Sequence, residues 1–141
     1  MGRDTYLQHL SAVPLFSALA KKDLQKIAKA SDEVDLDEGR VVVAEDTTGH
    51  EAFVILEGTA RVERNGRKVA ELGPGDHFGE LALLDGGPRT ATVIAATPLK
   101  VLVLGQREFS GVVDEVPGLA RKLLQSMATR LRDADTKAYS H

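Results

Sequence analysis

With 141 residues, 43% hydrophobic and 28% charged, the chain is long enough for one self-supporting core and too short for a separate sensor and effector. Eighteen Lys and Arg against 21 Asp and Glu give a formal charge of −3, which argues against direct nucleic-acid binding, where a basic footprint is the rule. The lack of cysteine excludes disulfides, thiolate metal sites, iron–sulfur clusters and cysteine nucleophiles, and fits an intracellular protein.

The opening MGRDTYLQHL carries no apolar signal-peptide core, and Tyr6 stands where a myristoylation motif wants Ser or Thr. No apolar run approaches the ~20 residues of a membrane span. A cytoplasmic chain without membrane insertion is expected.

Residues 4–30 read as helical: Leu7 and Leu10, then Leu24, Ile27 and Ala28, recur at helical spacing, broken at Val13-Pro14, with Ser17 as the expected N-cap of the second piece. Residues 33–104 switch to short β-type runs at 41–44, 52–56, 60–63, 68–72, 90–95 and 101–104, punctuated by turn residues. Asn65-Gly66 between ARVER and RKVAEL predicts a two-residue type I′ hairpin. Many short strands in one domain predict an antiparallel roll or jelly roll. Phe78–Leu84 interrupts it as a helix-forming stretch, followed by the loop Asp85-Gly86-Gly87-Pro88. Residues 106–137 return to helix: a short piece carries Phe109, Val112 and Val113, and Pro117 is expected at the first position of the next. In that last helix Leu119, Leu123, Leu124, Met127, Leu131 and Ala134 form a stripe, suited to its own domain or to a partner helix in a dimer.

The chemistry concentrates in FGELALLDGGPRTATV, residues 78–93. Gly79 allows close backbone approach, and the amides of Glu80, Leu81 and Ala82 open a short helix with no internal partners expected. Pro88 stiffens a loop that can bring Arg89 back over that helix start, and a guanidinium fork suits phosphate. Glu80, when ionised, accepts hydrogen bonds from a sugar hydroxyl. A phosphate site beside a carboxylate for ribose describes a nucleotide monophosphate pocket.

FGELALL followed by PRTATV resembles the phosphate-binding cassette of cyclic nucleotide-binding domains, the family of the catabolite activator protein, cyclic-nucleotide-dependent kinases and nucleotide-gated channels. The likeness extends to VPLFSALAKKDLQKIA as the N-terminal helical segment and to glycines 39, 58, 75 and 79 at β-roll turns. It implies a stand-alone, bacterial-type domain: an eight-stranded antiparallel β-roll (α+β overall) with flanking helices and the cassette at 78–93. It implies a non-catalytic sensor of cyclic AMP or cyclic GMP. Glu80 would hold the ribose 2′-hydroxyl and Arg89 the exocyclic phosphate oxygens. Backbone amides of Ala82 and Ala91 would complete the cradle, and Gly79 would keep the ribose side open. A hydroxyl at Thr90 can reach the phosphate or a guanine amino group, so it permits cyclic GMP without excluding cyclic AMP. Val62, Leu72, Phe78 and Leu81 are the apolar groups offered for the base pocket. The implied partners are the cyclic nucleotide, a further protein and a second copy through the C-terminal helix.

Other readings compete. Gly75-Asp76-His77 followed by Glu80 looks like a cupin metal turn, but Gly79 stands where the second His is needed, and His9, His50 and His141 are scattered, so no metal is expected. No nucleophile elbow is present, and the pairs Asp35/Asp37 and Asp133/Asp135 read as solvated faces. The catabolite activator group continues its last helix into a helix-turn-helix; here the sequence ends at LARKLLQSMATRLRDADTKAYSH, so a transcription-regulator-like protein without its own DNA-binding domain is the alternative. In that helix Ala134 and Asp135 replace hydroxyls that would select adenine, and Arg132 reads as solvated.

Overall fold

A computed structural model describes residues 3–139, with side-chain surroundings for residues 6–135. Among the described residues there are eight strands and five α-helices. The chain begins with α1 (Arg3–Ser11), a 3-10 turn (Pro14–Phe16) and α2 (Lys21–Ala30). The strands are β1 (Asp32–Leu36), β2 (Val41–Val43), β3 (Glu51–Glu57), β4 (Ala60–Arg64), β5 (Arg67–Leu72), β6 (His77–Phe78), β7 (Thr92–Ala95) and β8 (Leu99–Gly105). Between β6 and β7 lies α3 (Ala82–Asp85), and α4 (Gln106–Glu115) and α5 (Leu119–Tyr139) close the chain.

The strands form two four-stranded antiparallel sheets, ordered β1-β8-β3-β6 and β2-β7-β4-β5. The run AFVIL explains how the layers stack. A strand that is apolar at every position is covered on both faces. Phe53 and Ile55 point between the sheets with Phe78, Val93, Ala95, Leu99 and Val101. Ala52, Val54 and Leu56 point the other way, under Leu10, Phe16, Ile27, Phe109, Leu119 and Leu123. The helices therefore cover the outer face of the first sheet, and the second sheet keeps its outer face in water, with β5 exposed along most of its length.

The hairpin at Asn65-Gly66 has φ of 53° and 76°, the doubly left-handed geometry of a type I′ turn. Several boundaries depart from the sequence reading. β1 and β6 escaped it. DEVDL is acidic and mostly exposed, held by backbone pairing to β8, and β6 is too short to carry a period. α2 is capped at Ala20 rather than Ser17, because the Asp23 carboxylate accepts the Ala20 N–H at 3.1 Å. Pro117 does not open α5, which starts at Leu119 after Gly118 takes φ of 80°. The stretch from Phe78 is strand and turn first and becomes helical only at Ala82.

Candidate nucleotide pocket

Arg89 is placed by two loops that grip each other. Its backbone N–H donates to the Thr47 carbonyl and its carbonyl accepts from Asp46 N–H, both at 2.8 Å, while Gly49 N–H donates to the Gly87 carbonyl at 3.1 Å. The side chain turns inward and is 8% exposed. Its Nη1 donates to the Glu51 carbonyl at 2.8 Å, and its guanidinium carbon lies 5.8 Å from the centre of the Phe53 ring, a cation–π distance. Phe53 is itself stacked on Phe78, centroids 4.8 Å apart. Burial lowers the Arg89 pKa, and the Glu51 carboxylate works in the opposite direction. Among the described residues no carboxylate lies within ion-pair distance of Arg89.

Gly79 makes room for this arrangement. Its φ is +78°, and a Cβ there would sit 2.5 Å from Arg89 Nη1 and 2.9 Å from the Glu51 carbonyl oxygen. Glu80, next in the chain, is 8% exposed. Its Oε1 accepts from Arg130 Nη1 of α5 at 3.0 Å, with His77 Nε2 at 3.9 Å.

Gly79, Glu80, Leu81, Ala82, Arg89, Thr90 and Ala91 all line a single pocket of about 480 Å³, between the turn leading into α3, the inner face of the second sheet and α5. That volume suits a small organic ligand. Val43, Val62, Phe78 and Val93 supply apolar wall, whereas Leu72 packs into the core between the sheets and does not line it. The amide of Ala82 is not open as the sequence suggested: it donates to the Gly79 carbonyl at 3.1 Å, because the chain turns before the helix starts.

Two lining residues escaped the sequence reading. Arg130 belongs to the α5 face that also carries Leu119, Leu123 and Ser126, all buried at 6% exposure or less. Steps of four, three and four residues put it on that face, a signal hidden because Ser126 interrupts the apolar stripe. Leu124 and Leu131, counted in the stripe, are 70% and 62% exposed, and Arg132 is exposed as expected. Arg64 follows Val62 by two residues on β4, so both face the pocket. Among the described residues no helix is long and apolar enough to cross a membrane, and no group of three His, Asp or Glu is placed to hold a metal ion.

The fold is a two-sheet antiparallel roll in which a buried arginine and a buried carboxylate line one pocket. The chain belongs to the cyclic nucleotide-binding domain family, whose family model matches residues 33–115. It is 34% identical to the N-terminal domain of a transcriptional regulator from Streptomyces coelicolor A3(2), with a TM-score of 0.82 over 92% of this chain and 94% of that one. The catabolite activator protein of Thermus thermophilus is 29% identical with a TM-score of 0.69, covering 89% of this chain and 61% of that one. The regulatory subunit of cAMP-dependent protein kinase from Hypocrea atroviridis is 35% identical over 85% of this chain and 26% of its own length. The chain thus spans about a quarter of that curated relative.

Proposed function

We propose that this domain is a non-catalytic sensor that binds a cyclic purine nucleotide in the pocket around Arg89 and Glu80 and passes occupancy to a protein partner through its C-terminal helices. One observation carries the reading. Arg89 is nine-tenths buried, lines a pocket and has no carboxylate partner among the described residues. A buried cation is costly unless an opposite charge offsets it, and a cyclic phosphate supplies one negative charge of the right shape. The residues beside it fit the rest of such a ligand: Glu80 for a ribose hydroxyl, Gly79 for close approach, Leu81 as apolar contact, and Ala82, Thr90 and the Ala91 amide around the phosphate. Relatives named for dependence on cyclic AMP support cyclic AMP as one ligand, and the Thr90 hydroxyl is compatible with cyclic GMP.

The route to an output runs through Glu80. Arg130 of α5 already shares its carboxylate, so a ribose hydroxyl on the same group changes what holds α5 in place. α5 is also tied to the N-terminal segment, because Lys122 Nζ donates to Asp23 at 2.7 Å and the Ala18 N–H donates to Ser126 Oγ at 3.0 Å. Ligand shifts the balance of α5 positions only to the extent that it binds them unequally. Exposed Leu124 and Leu131 lie seven residues apart on one side of α5, which suits a second copy as one partner. In this reading the protein acts on other proteins, with no metal and no direct contact with nucleic acid.

Isothermal titration with cyclic AMP, cyclic GMP and linear 5′-AMP tests the reading. Saturable heat with a cyclic nucleotide supports it; no heat and no thermal shift with either at high micromolar concentration ends it.

A further inference from the structure

Among the described residues three guanidinium groups line the pocket, and they differ in what holds them. Arg89 is buried on the Glu51 carbonyl and the Phe53 ring, and Arg130 is paired with Glu80. Arg64 has no carboxylate within ion-pair distance among the described residues. It is exposed, yet its side chain lies back along the pocket, where Nε donates to the Thr90 carbonyl at 3.1 Å. That bond fixes one edge of the fork and leaves both Nη groups with no hydrogen bond among the described residues. The anchor is the residue directly after Arg89. Charge along the lining points the same way. Arg64, Arg89 and Arg130 against Glu80 and Asp85 leave one positive charge in excess, and without Arg64 the lining is neutral.

We propose that Arg64 is a second phosphate-binding residue, reaching the ligand's anionic group from β4 while Arg89 holds it from the buried side. This rests on the cyclic nucleotide reading of the pocket and adds to it a residue that acts on the charge common to all such ligands. A guanidinium anchored at one nitrogen presents its remaining N–H groups in a fixed plane, the arrangement that suits phosphate oxygens. Two cations converging on one site repel each other until an anion lies between them. Arg64 therefore raises affinity for cyclic AMP and cyclic GMP alike, and makes that affinity depend on salt.

The test is titration of the full chain and of Arg64→Ala, Arg64→Lys and Arg67→Ala with cyclic AMP and cyclic GMP at low and high ionic strength. Arg67 neighbours Arg64 across the hairpin and does not line the pocket. Arg64→Ala should weaken both nucleotides by about tenfold and flatten the salt dependence, as expected for a partly exposed charge-assisted contact. Arg64→Lys should recover part of the loss, and Arg67→Ala should stay within twofold of the native chain. Circular dichroism and melting confirm that each variant is folded.

A loss confined to one nucleotide would overturn the proposal, because Arg64 would then read the base. Unchanged affinity in Arg64→Ala, or an equal loss in Arg67→Ala, would overturn it as well while leaving the sensor reading intact. Failure of the native chain to bind either nucleotide removes both readings.

Discussion

Replacing Gly79 by alanine adds one carbon at the most crowded point of the pocket. The residue sits at φ of +78°, where an L side chain costs about 1–2 kcal/mol. The new Cβ falls 2.5 Å from Arg89 Nη1 and 2.9 Å from the Glu51 carbonyl oxygen. The guanidinium can swing aside, but the carbonyl belongs to β3 and is held by pairing with β8. The clash therefore breaks the 2.8 Å bond from Arg89 to Glu51. A hydrogen bond to a charged group is worth about 1.5–3 kcal/mol. Together the two effects predict a loss of about 2.5–5 kcal/mol in folding stability. Urea unfolding followed by circular dichroism measures it, and titration with cyclic nucleotide should show weakened binding because Arg89 has moved. Stability within about 0.5 kcal/mol of the native chain, the ordinary range for a surface substitution, with unchanged nucleotide affinity, would show that the pocket does not depend on Gly79 holding Arg89 in place.

Arg89→Ala should weaken cyclic nucleotide binding by at least tenfold, the minimum for a buried charge-assisted phosphate contact, with titration calorimetry as the measure. Asp23→Asn should destabilise the fold by about 2 kcal/mol at neutral pH by breaking a buried pair whose lysine is partly exposed. The hydrogen bond from Lys122 is the main cause holding the Asp23 carboxyl below the usual aspartate range; burial opposes it and the Ala20 N–H assists. A depressed folded-state pKa gives stability that is present above the ordinary value near pH 4 and is lost as pH falls through the folded-state value. The gap between native and variant in urea melts should therefore close on acidification below about pH 4. Asn65→Val should cost about 1–2 kcal/mol, since Asn65 holds φ of 53° in the hairpin and a β-branched residue resists it. If a second copy covers the outer face of α5, Leu124→Glu with Leu131→Glu should yield a monomer by light scattering; a native chain already monomeric at high micromolar concentration would exclude that partner.

The local signals in this chain are strong where one residue type answers one physical need. Asn-Gly at 65–66 specifies its turn because both positions require left-handed backbone, and AFVIL specifies a strand buried on two faces because no position in it tolerates water. The spacing of Gly79, Glu80, Pro88, Arg89 and Thr90 announced the pocket because those residues lie within one continuous segment. Sequence proximity stands in for spatial proximity there.

Where the answer depends on a distant partner, the sequence was silent. β1 is a strand because β8 offers it hydrogen bonds, and nothing in DEVDL says so. Asp23, an acid in the first turn of α2, is 2% exposed and is reached by Lys122, 99 residues away. Arg130 meets Glu80 only once α5 lies across the roll. Arg64 reaches the Thr90 carbonyl because β4 pairs with β7, the strand that continues from the cassette. The sequence by itself determined that thiol chemistry is absent and that Gly79, Glu80, Arg89 and Thr90 share one continuous segment. Which guanidinium groups line the pocket, and which helix meets Glu80, were decided by tertiary packing, because charges far apart in sequence act on one another only after the fold has brought them within a few ångströms.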